Sequence, residues 1–311
     1  MSALELYGLE KNYLSADEGR FAGVRLTPPL DTLNVERGEL FGIIGPDGAG
    51  KTTLFRMLTT LIIPDAGRAS VDGFDIVSGY KEIRRRVGYM PGRFSLYPDL
   101  TVEENLSFYA SVFDTTVQAN YKLIESIYSQ IEPFKKRRAA KLSGGMKQKL
   151  ALCCAMVHKP SVLFLDEPTT GVDPVSRKEF WQILRNLKAE GITIIVSTPY
   201  MDEATLCDRI ALMRDGRFLK MDTPRNIVDG FGETLWTASS AEMFRLLNDL
   251  RLYPGIKRCY TFGASHHFTA ADGFDPAGLK EYLIKLNHKD IVISTAEATV
   301  EDCYMQFEEE K

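Results

Sequence analysis

Apolar positions recur along the chain with two different periods, and the switches between them divide it into parts. Residues Leu4 to Tyr13 and Leu30 to Val35 read as two strands separated by a polar loop that carries Pro28-Pro29. Leu40-Phe41-Gly42-Ile43-Ile44 is a short unbroken apolar run, as a strand covered on both faces requires. After Lys51 the order Thr52-Thr53-Leu54-Phe55-Arg56-Met57-Leu58 puts apolar residues at helical spacing, so a loop runs from that strand into a helix N-terminus. From about residue 93 to about 160 the chain turns polar with helical periodicity, and it carries the capping box Thr101-Val102-Glu103-Glu104. This predicts a mostly helical insertion. Val162-Leu163-Phe164-Leu165 and Ile192-Thr193-Ile194-Ile195-Val196 then return as apolar runs around a helical stretch near Val175 to Ala189, the pattern of parallel strands in an α/β sheet. Composition shifts near Asp222-Thr223-Pro224. Beyond it, strand-like and helix-like stretches alternate between turns at Tyr253-Pro254-Gly255 and Ala271-Asp272-Gly273. The expected organisation is a large domain over residues 1–225 and a small α+β domain over residues 232–311, with no internal repeat.

Composition narrows the partners. With 311 residues, 44% of them hydrophobic, the chain can bury a full core, and a net charge of -4 gives no overall pull toward nucleic acid. Five cysteines (Cys153, Cys154, Cys207, Cys259, Cys303) are odd in number and lack metal-ligand spacing, which fits a reducing cytoplasm. Met1-Ser2-Ala3-Leu4-Glu5-Leu6 is not a secretory signal, and no run approaches the roughly 20 apolar residues of a spanning helix. If the protein acts at a membrane, another chain does the crossing. The run Lys135-Lys136-Arg137-Arg138 reads as a solvated helical face, with contact to lipid headgroups as the alternative.

The chemistry is concentrated at Gly45-Pro46-Asp47-Gly48-Ala49-Gly50-Lys51-Thr52, with Thr53 next in line. Glycines at this spacing let successive backbone N–H groups point at phosphate oxygens, and the following helix presents its positive end. Lys51 adds a charge for the β- and γ-phosphates, and the Thr52 hydroxyl can ligate Mg²⁺. Asp166 ends an apolar strand, where a carboxylate can hold Mg²⁺ through water, and the neighbouring Glu167 can polarise the attacking water as the catalytic group.

Leu142-Ser143-Gly144-Gly145-Met146 resembles the signature motif of ATP-binding cassette proteins. With the phosphate loop, Leu163 to Pro168 and Gly171-Val172-Asp173-Pro174, it stands in the order that family uses, over about residues 4 to 225. The resemblance implies a P-loop NTPase fold of the cassette type, with a mostly parallel core sheet, N-terminal antiparallel strands and a helical signature lobe. It implies ATP and Mg²⁺ as ligands and a head-to-tail dimer in which Ser143, Gly144 and Gly145 of one cassette cap the γ-phosphate held by the other. Tyr13 matches the position where such cassettes stack an aromatic ring on adenine, with core packing as the alternative. Arg93 to Leu106 looks like the export branch, similar to multidrug efflux cassettes, where this region receives a helix of the membrane subunit. Ala298 to Tyr304 looks like a degenerate closing motif of the accessory domain in such exporters, and a helix start capped by Thr299 explains it equally well.

Two positions depart from the family pattern. Gly92 stands where a glutamine reaches Mg²⁺ and the attacking water, and Pro199 stands where a histidine bonds the γ-phosphate. Neither residue has a side-chain donor, and Pro lacks the backbone N–H as well. Losing one transition-state donor costs about 10² to 10³ in rate. Compensation by a neighbour such as Arg93 is the alternative. The resulting expectation is an ATP-binding subunit of an exporter that works with a polytopic permease at the cytoplasmic face of the plasma (inner) membrane. It hydrolyses poorly at its own site and pairs with a different cassette rather than with itself. The competing classes are a non-transport cassette ATPase acting on ribosomes or DNA, and a purely regulatory ATP-binding subunit.

Overall fold

The structure, a computed structural model, describes residues 2–13, 22–27, 30–92 and 95–309, without the side chains of Ala22 and Glu309. Pro28-Pro29 and Arg93, the suggested compensating residue, lie outside the described residues. The chain divides into two units, Met1–Arg225 and Asn226–Lys311.

In the first unit the N-terminal stretch is β1 (Ser2–Tyr13), followed by β2 (Ala22–Arg25), β3 (Thr32–Glu36) and β4 (Leu40–Ile44). Next come α1 (Lys51–Leu58), β5 (Ala66–Val71), β6 (Phe74–Asp75), α2 (Tyr80–Arg86) and β7 (Val87–Met90). The helical insertion holds α3 (Val102–Val112), α4 (Tyr121–Tyr128) and α5 (Gly144–Met156). The core resumes with β8 (Val162–Asp166), α6 (Pro174–Ala189), β9 (Thr193–Thr198), β10 (Arg209–Arg214) and β11 (Arg217–Asp222). One sheet is antiparallel, in the order β2-β1-β5-β6 with β3 also on β1. The other runs β11-β10-β4-β9-β8-β7, parallel from β10 to β7 with β11 antiparallel at one edge. All residues of β4, β8 and β9 are buried, as parallel strands covered on both faces must be. Phe55 of α1 meets Phe164 of β8 edge-on at 5.5 Å, fixing the first helix against the sheet.

The capping box at Thr101 forms: Glu104 N–H donates to Thr101 Oγ1 (3.2 Å), and Thr101 N–H donates to Glu104 Oε2 (2.8 Å). The basic run after it is no helix face. It follows a 3₁₀ turn at Glu132–Phe134, and the carbonyls of Arg137 and Lys135 accept from Val102 and Glu103 N–H at 3.0 Å each. Those carbonyls satisfy orphan donors at the start of α3.

α7 (Pro224–Asp229) leads into the second unit, which runs β12 (Leu235–Ser239), α8 (Met243–Leu252), β13 (Ile256–Phe262), β14 (Ser265–Ala270), α9 (Pro276–Lys285), β15 (Val292–Ala296) and α10 (Val300–Glu309). Its sheet has the order β13-β14-β12-β15 with every pair antiparallel, the split β-α-β arrangement. Leu246 and Leu250 of α8 and Leu279 and Leu283 of α9 pack on Phe268 and Ala238 of the sheet. The contacts that define this unit include the residues from Asn226 onward. Around Ala298 to Tyr304 a helix start is present: Thr299 N–H and Oγ1 donate to Asp302 Oδ2 (2.7 and 2.6 Å). Asp302 is buried, and its Oδ1 also accepts from Tyr260 OH (2.7 Å) and lies 2.6 Å from His267 Nδ1.

Burial pushes the Asp302 carboxyl up, but the bonds from Thr299, Tyr260 and His267 outweigh it and hold the group below its ordinary value. A carboxylate lowered in this way stabilises the fold above its unfolded value of about 4, and that contribution is lost as pH falls through the native value. Asp302→Ala should therefore destabilise the second unit by about 1–3 kcal/mol for each buried partner left unpaired. It should also flatten the loss of stability below pH ~4. Urea titrations followed through Trp236 in a Trp181→Phe background measure both effects.

Candidate functional site

The parallel register lines up the chemistry at one edge of the sheet. Ile44 lies opposite Thr198 and Asp166 opposite Ser197, so Gly45, Pro199 and Glu167 leave the sheet side by side, with Gly92 just past the end of β7. Open α/β sheets bind ligands at this carboxyl edge. Gly45 N–H donates to Thr198 O (3.2 Å), tying the phosphate loop to β9. The loop then reaches α1 through Gly50, whose φ of 104° lies in the left-handed region where a side chain would be strained.

Gly23, Gly48, Ala49, Gly50, Lys51, Thr52, Thr53 and Glu167 line a cavity of about 160 Å³. Lys51 is 3% exposed, and its Nζ donates to Gly45 O (2.8 Å) and Pro46 O (3.0 Å) and pairs with Glu167 Oε1 (3.0 Å). The ammonium is thus held by its own loop and balanced by a carboxylate that an anionic ligand could replace. Thr52 Oγ1 has no hydrogen-bond partner among the described residues. Asp166 is 1% exposed; its Oδ1 accepts from Ser197 Oγ (2.6 Å), and its Oδ2 has no partner among the described residues. Among the described residues no three His, Cys, Asp or Glu gather as a metal cage. A hydroxyl and one carboxylate fit Mg²⁺, which keeps several waters and shares phosphate oxygens. Burial, with Asp166 nearby and Arg56 opposing, pushes the Tyr89 phenol up to about 12, so it stays neutral beside Asp166.

Glu167 has φ 51°, unusual for a residue with a side chain. Its N–H donates to Ser197 O and Ser197 Oγ at 3.0 Å each, which offsets that strain. A Cβ added at Gly92 would lie 3.0 Å from Asp166 O and 3.7 Å from Glu167 Cβ, so this position presses on the acidic pair without a polar side chain. Beside Pro199, Thr198 Oγ1 donates to Glu203 Oε2 (2.5 Å) and accepts from Tyr200 N–H (3.1 Å). The buried Glu203 also accepts from Thr169 Oγ1 (2.9 Å) and pairs with Arg177 Nε (2.9 Å). The Arg177 guanidinium lies 4.3 Å over the Tyr200 ring and also pairs with Asp202.

Ser143 caps α5, accepting from Met146 N–H at 3.4 Å, with Ser143 and Gly144 exposed. Gly145 is buried, because a Cβ there would come within 2.7 Å of Ser176 Oγ and 2.8 Å of Ser176 Cβ on the first turn of α6. That turn is set by Asp173, whose Oδ1 accepts from Ser176 N–H (3.0 Å), and by Pro174 at the first helical position. None of Ser143, Gly144 and Gly145 lines the cavity at Lys51, nor does Tyr13, whose ring is exposed rather than packed in the core. Asp47 is exposed beside the loop. Sequence reasoning missed Gly23, Ser197, Thr198, Arg177 and Glu203. Ser197 and Thr198 were reachable from the strand run next to Pro199, whereas Gly23, Arg177 and Glu203 meet the site only through the fold.

Residues 31–170 match the sequence model of a family described as ABC transporter. Over 232 residues the chain is 37% identical to the Nod factor export ATP-binding protein I of Rhizobium etli, a match covering 74% of this chain and 71% of that protein. The chain belongs to the ABC transporter family, as an ATP-binding cassette. It is 45% identical over 226 residues to the probable multidrug ABC transporter ATP-binding protein YbhF of Escherichia coli, covering 72% of this cassette but only 38% of that relative's length. Among solved structures, CbiO1 of Clostridium perfringens superposes on the cassette with TM-score 0.62 at 28% identity, over 74% of this chain and 91% of that one. The cassette MJ0796 bound to ADP and Pi does so with TM-score 0.62 at 25% identity, over 71% and 98%.

The Gly145 contact can be tested directly in the cassette. Gly145→Ala should destabilise it by about 1–3 kcal/mol through overpacking against Ser176. Ser176→Gly, which vacates that space, should recover much of the loss in the double variant, as a denaturation cycle of the four proteins would measure.

Proposed function

We propose that this cassette binds ATP with Mg²⁺, pairs head to tail with a second and different cassette, and drives export through a separate polytopic permease. The observation that carries this reading is the division of the site. Lys51, Thr52 and Glu167 line one cavity, with Asp166 next to Glu167 at the end of β8, while Ser143 and Gly144 stand exposed at a helix N-terminus outside it, where backbone N–H groups suit another chain's γ-phosphate. Mg²⁺, when bound, would be held by Thr52 and, through water, by Asp166, and would neutralise phosphate charge. ATP entering the cavity competes for Lys51 and releases Glu167 to polarise the attacking water. Gly92 and Pro199 leave that water and the γ-phosphate without two side-chain contacts, so this site binds better than it hydrolyses, and the signature is the chain's main contribution to a partner's intact site.

Export is supported by the names of the relatives, one a multidrug and one a Nod factor export ATP-binding protein. No helix among the described residues is long and apolar enough to cross a membrane; in the proposed assembly the cassette meets the cytoplasmic membrane face through the permease. A cavity of about 620 Å³ between α2 and α3, with Leu61, Tyr80, Val112 and Phe113 on its walls, offers an apolar seat for a permease helix. Its exposed apolar rim and the net charge of -4 favour this partner over nucleic acid.

ATP turnover of the lone chain and of its complex with a partner cassette and permease tests the reading. The lone chain should run about 10²-fold or more below the complex, and Gly92→Gln with Pro199→His should raise it. Brisk hydrolysis by the lone chain, abolished by Glu167→Gln, would contradict the unequal division of labour. No gain from the double reversion, in a complex that turns over, would favour a purely regulatory subunit.

A further inference from the structure

We infer that Ser197 is a positioning residue that holds Asp166 and Glu167 in working geometry; this rests on the metal-ATP reading proposed above. Ser197 sits fully buried near the end of β9, directly after the apolar run Ile194, Ile195 and Val196. A hydroxyl at such a place must be bonded to be tolerated, and this one is used on both sides. It donates to Asp166 Oδ1 at 2.6 Å and accepts from Glu167 N–H at 3.0 Å. Because the accepting side is taken by a backbone donor, the hydroxyl proton stays directed at the carboxylate. Asp166 is thereby held in one rotamer, with Oδ1 engaged and Oδ2 left for a metal-bound water. The same oxygen helps fix Glu167 at φ 51°, the backbone conformation that sends its carboxylate toward Lys51 and the cavity.

Among the described residues Ser197 is the sole hydrogen-bond donor to the Asp166 side chain, and its two neighbours at this edge, Gly92 and Pro199, carry no polar side-chain atom. The orientation that would otherwise be shared among several side chains at this edge therefore falls on one serine. Outer partners of metal-binding groups set ligand orientation, and their removal costs about 10- to 100-fold in metal affinity or activity.

The test is Mg²⁺-dependent binding of a fluorescent ATP analogue to the full chain, which needs no turnover. Ser197→Ala should raise the Mg²⁺ concentration for half-maximal binding about tenfold. Binding in EDTA should change less than about twofold, because Lys51 and the loop N–H groups are untouched. Ser197→Thr keeps the hydroxyl and should stay near wild type, whereas Ser197→Val, of the same volume without it, should follow the alanine variant; melting curves confirm that each is folded. Alanine and valine variants that titrate with Mg²⁺ as wild type does, or a threonine variant as impaired as valine, would overturn the role of Ser197. A wild-type chain whose nucleotide binding ignores Mg²⁺ would instead overturn the proposed function.

Discussion

Parallel pairing of β4, β9, β8 and β7 is the constraint on which this cassette depends. Strands that all point one way end at one edge, so the residues just beyond them are neighbours although far apart in sequence. Gly45, Pro199, Glu167 and Gly92 occupy such a row because Ile44 opposes Thr198, Asp166 opposes Ser197 and Met90 opposes Leu165. A slip of one residue in any pair would turn alternate side chains to the other face and break the row. The continuous burial of β4, β8 and β9 makes such a slip costly, so the same apolar runs that build the core also hold the site in register.

At that edge the protein buries charge, and the charges of Lys51 and Glu203 are each answered. Lys51 is balanced by Glu167 and two loop carbonyls, and Glu203 by Arg177 and two threonine hydroxyls. Leaving one such group unpaired would cost several kcal/mol, so these pairs move only by exchange of partners. A phosphate can exchange for Glu167 at Lys51. No exchange is offered at Glu203, whose partners come from β9, α6 and the segment after β8; that cluster is the fixed frame against which the Lys51 pair changes.

Contiguity decided what could be read from the residues alone. The phosphate loop, the strand runs at 40–44 and 162–166 and the capping box at Thr101 are local patterns, and the structure holds each of them. The strand Ala22–Arg25 was not legible, because four residues beside a glycine give no period, yet it brings Gly23 to the cavity wall. The basic run at 135–138 has helical composition, and only the distant N–H groups of Val102 and Glu103 explain why it turns instead. Ser197 and Asp166 lie 31 positions apart, and Thr169 and Glu203 lie 34 apart, so no spacing rule in sequence could pair them.

The two departures at Gly92 and Pro199 both lie beyond the ends of their strands. Pro199 stands outside the strand ladder, where its missing N–H breaks no pairing. The bonds around it run from Thr198 O to Gly45 and from Thr198 Oγ1 to Glu203 and Tyr200, so the edge keeps its shape without a side-chain donor at 199. Gly92 closes against Asp166 O with no side chain to place. The signature residue Gly145 has no such freedom, because the first turn of α6 lies where its side chain would be, and Ser143 supplies the cap of α5. Side chains at 92 and 199 can therefore be lost without breaking the strand ladder, whereas the segment Ser143 to Gly145 is locked in by packing. On the function proposed above, such a chain can lose contacts at its own site before it loses its use to a partner cassette.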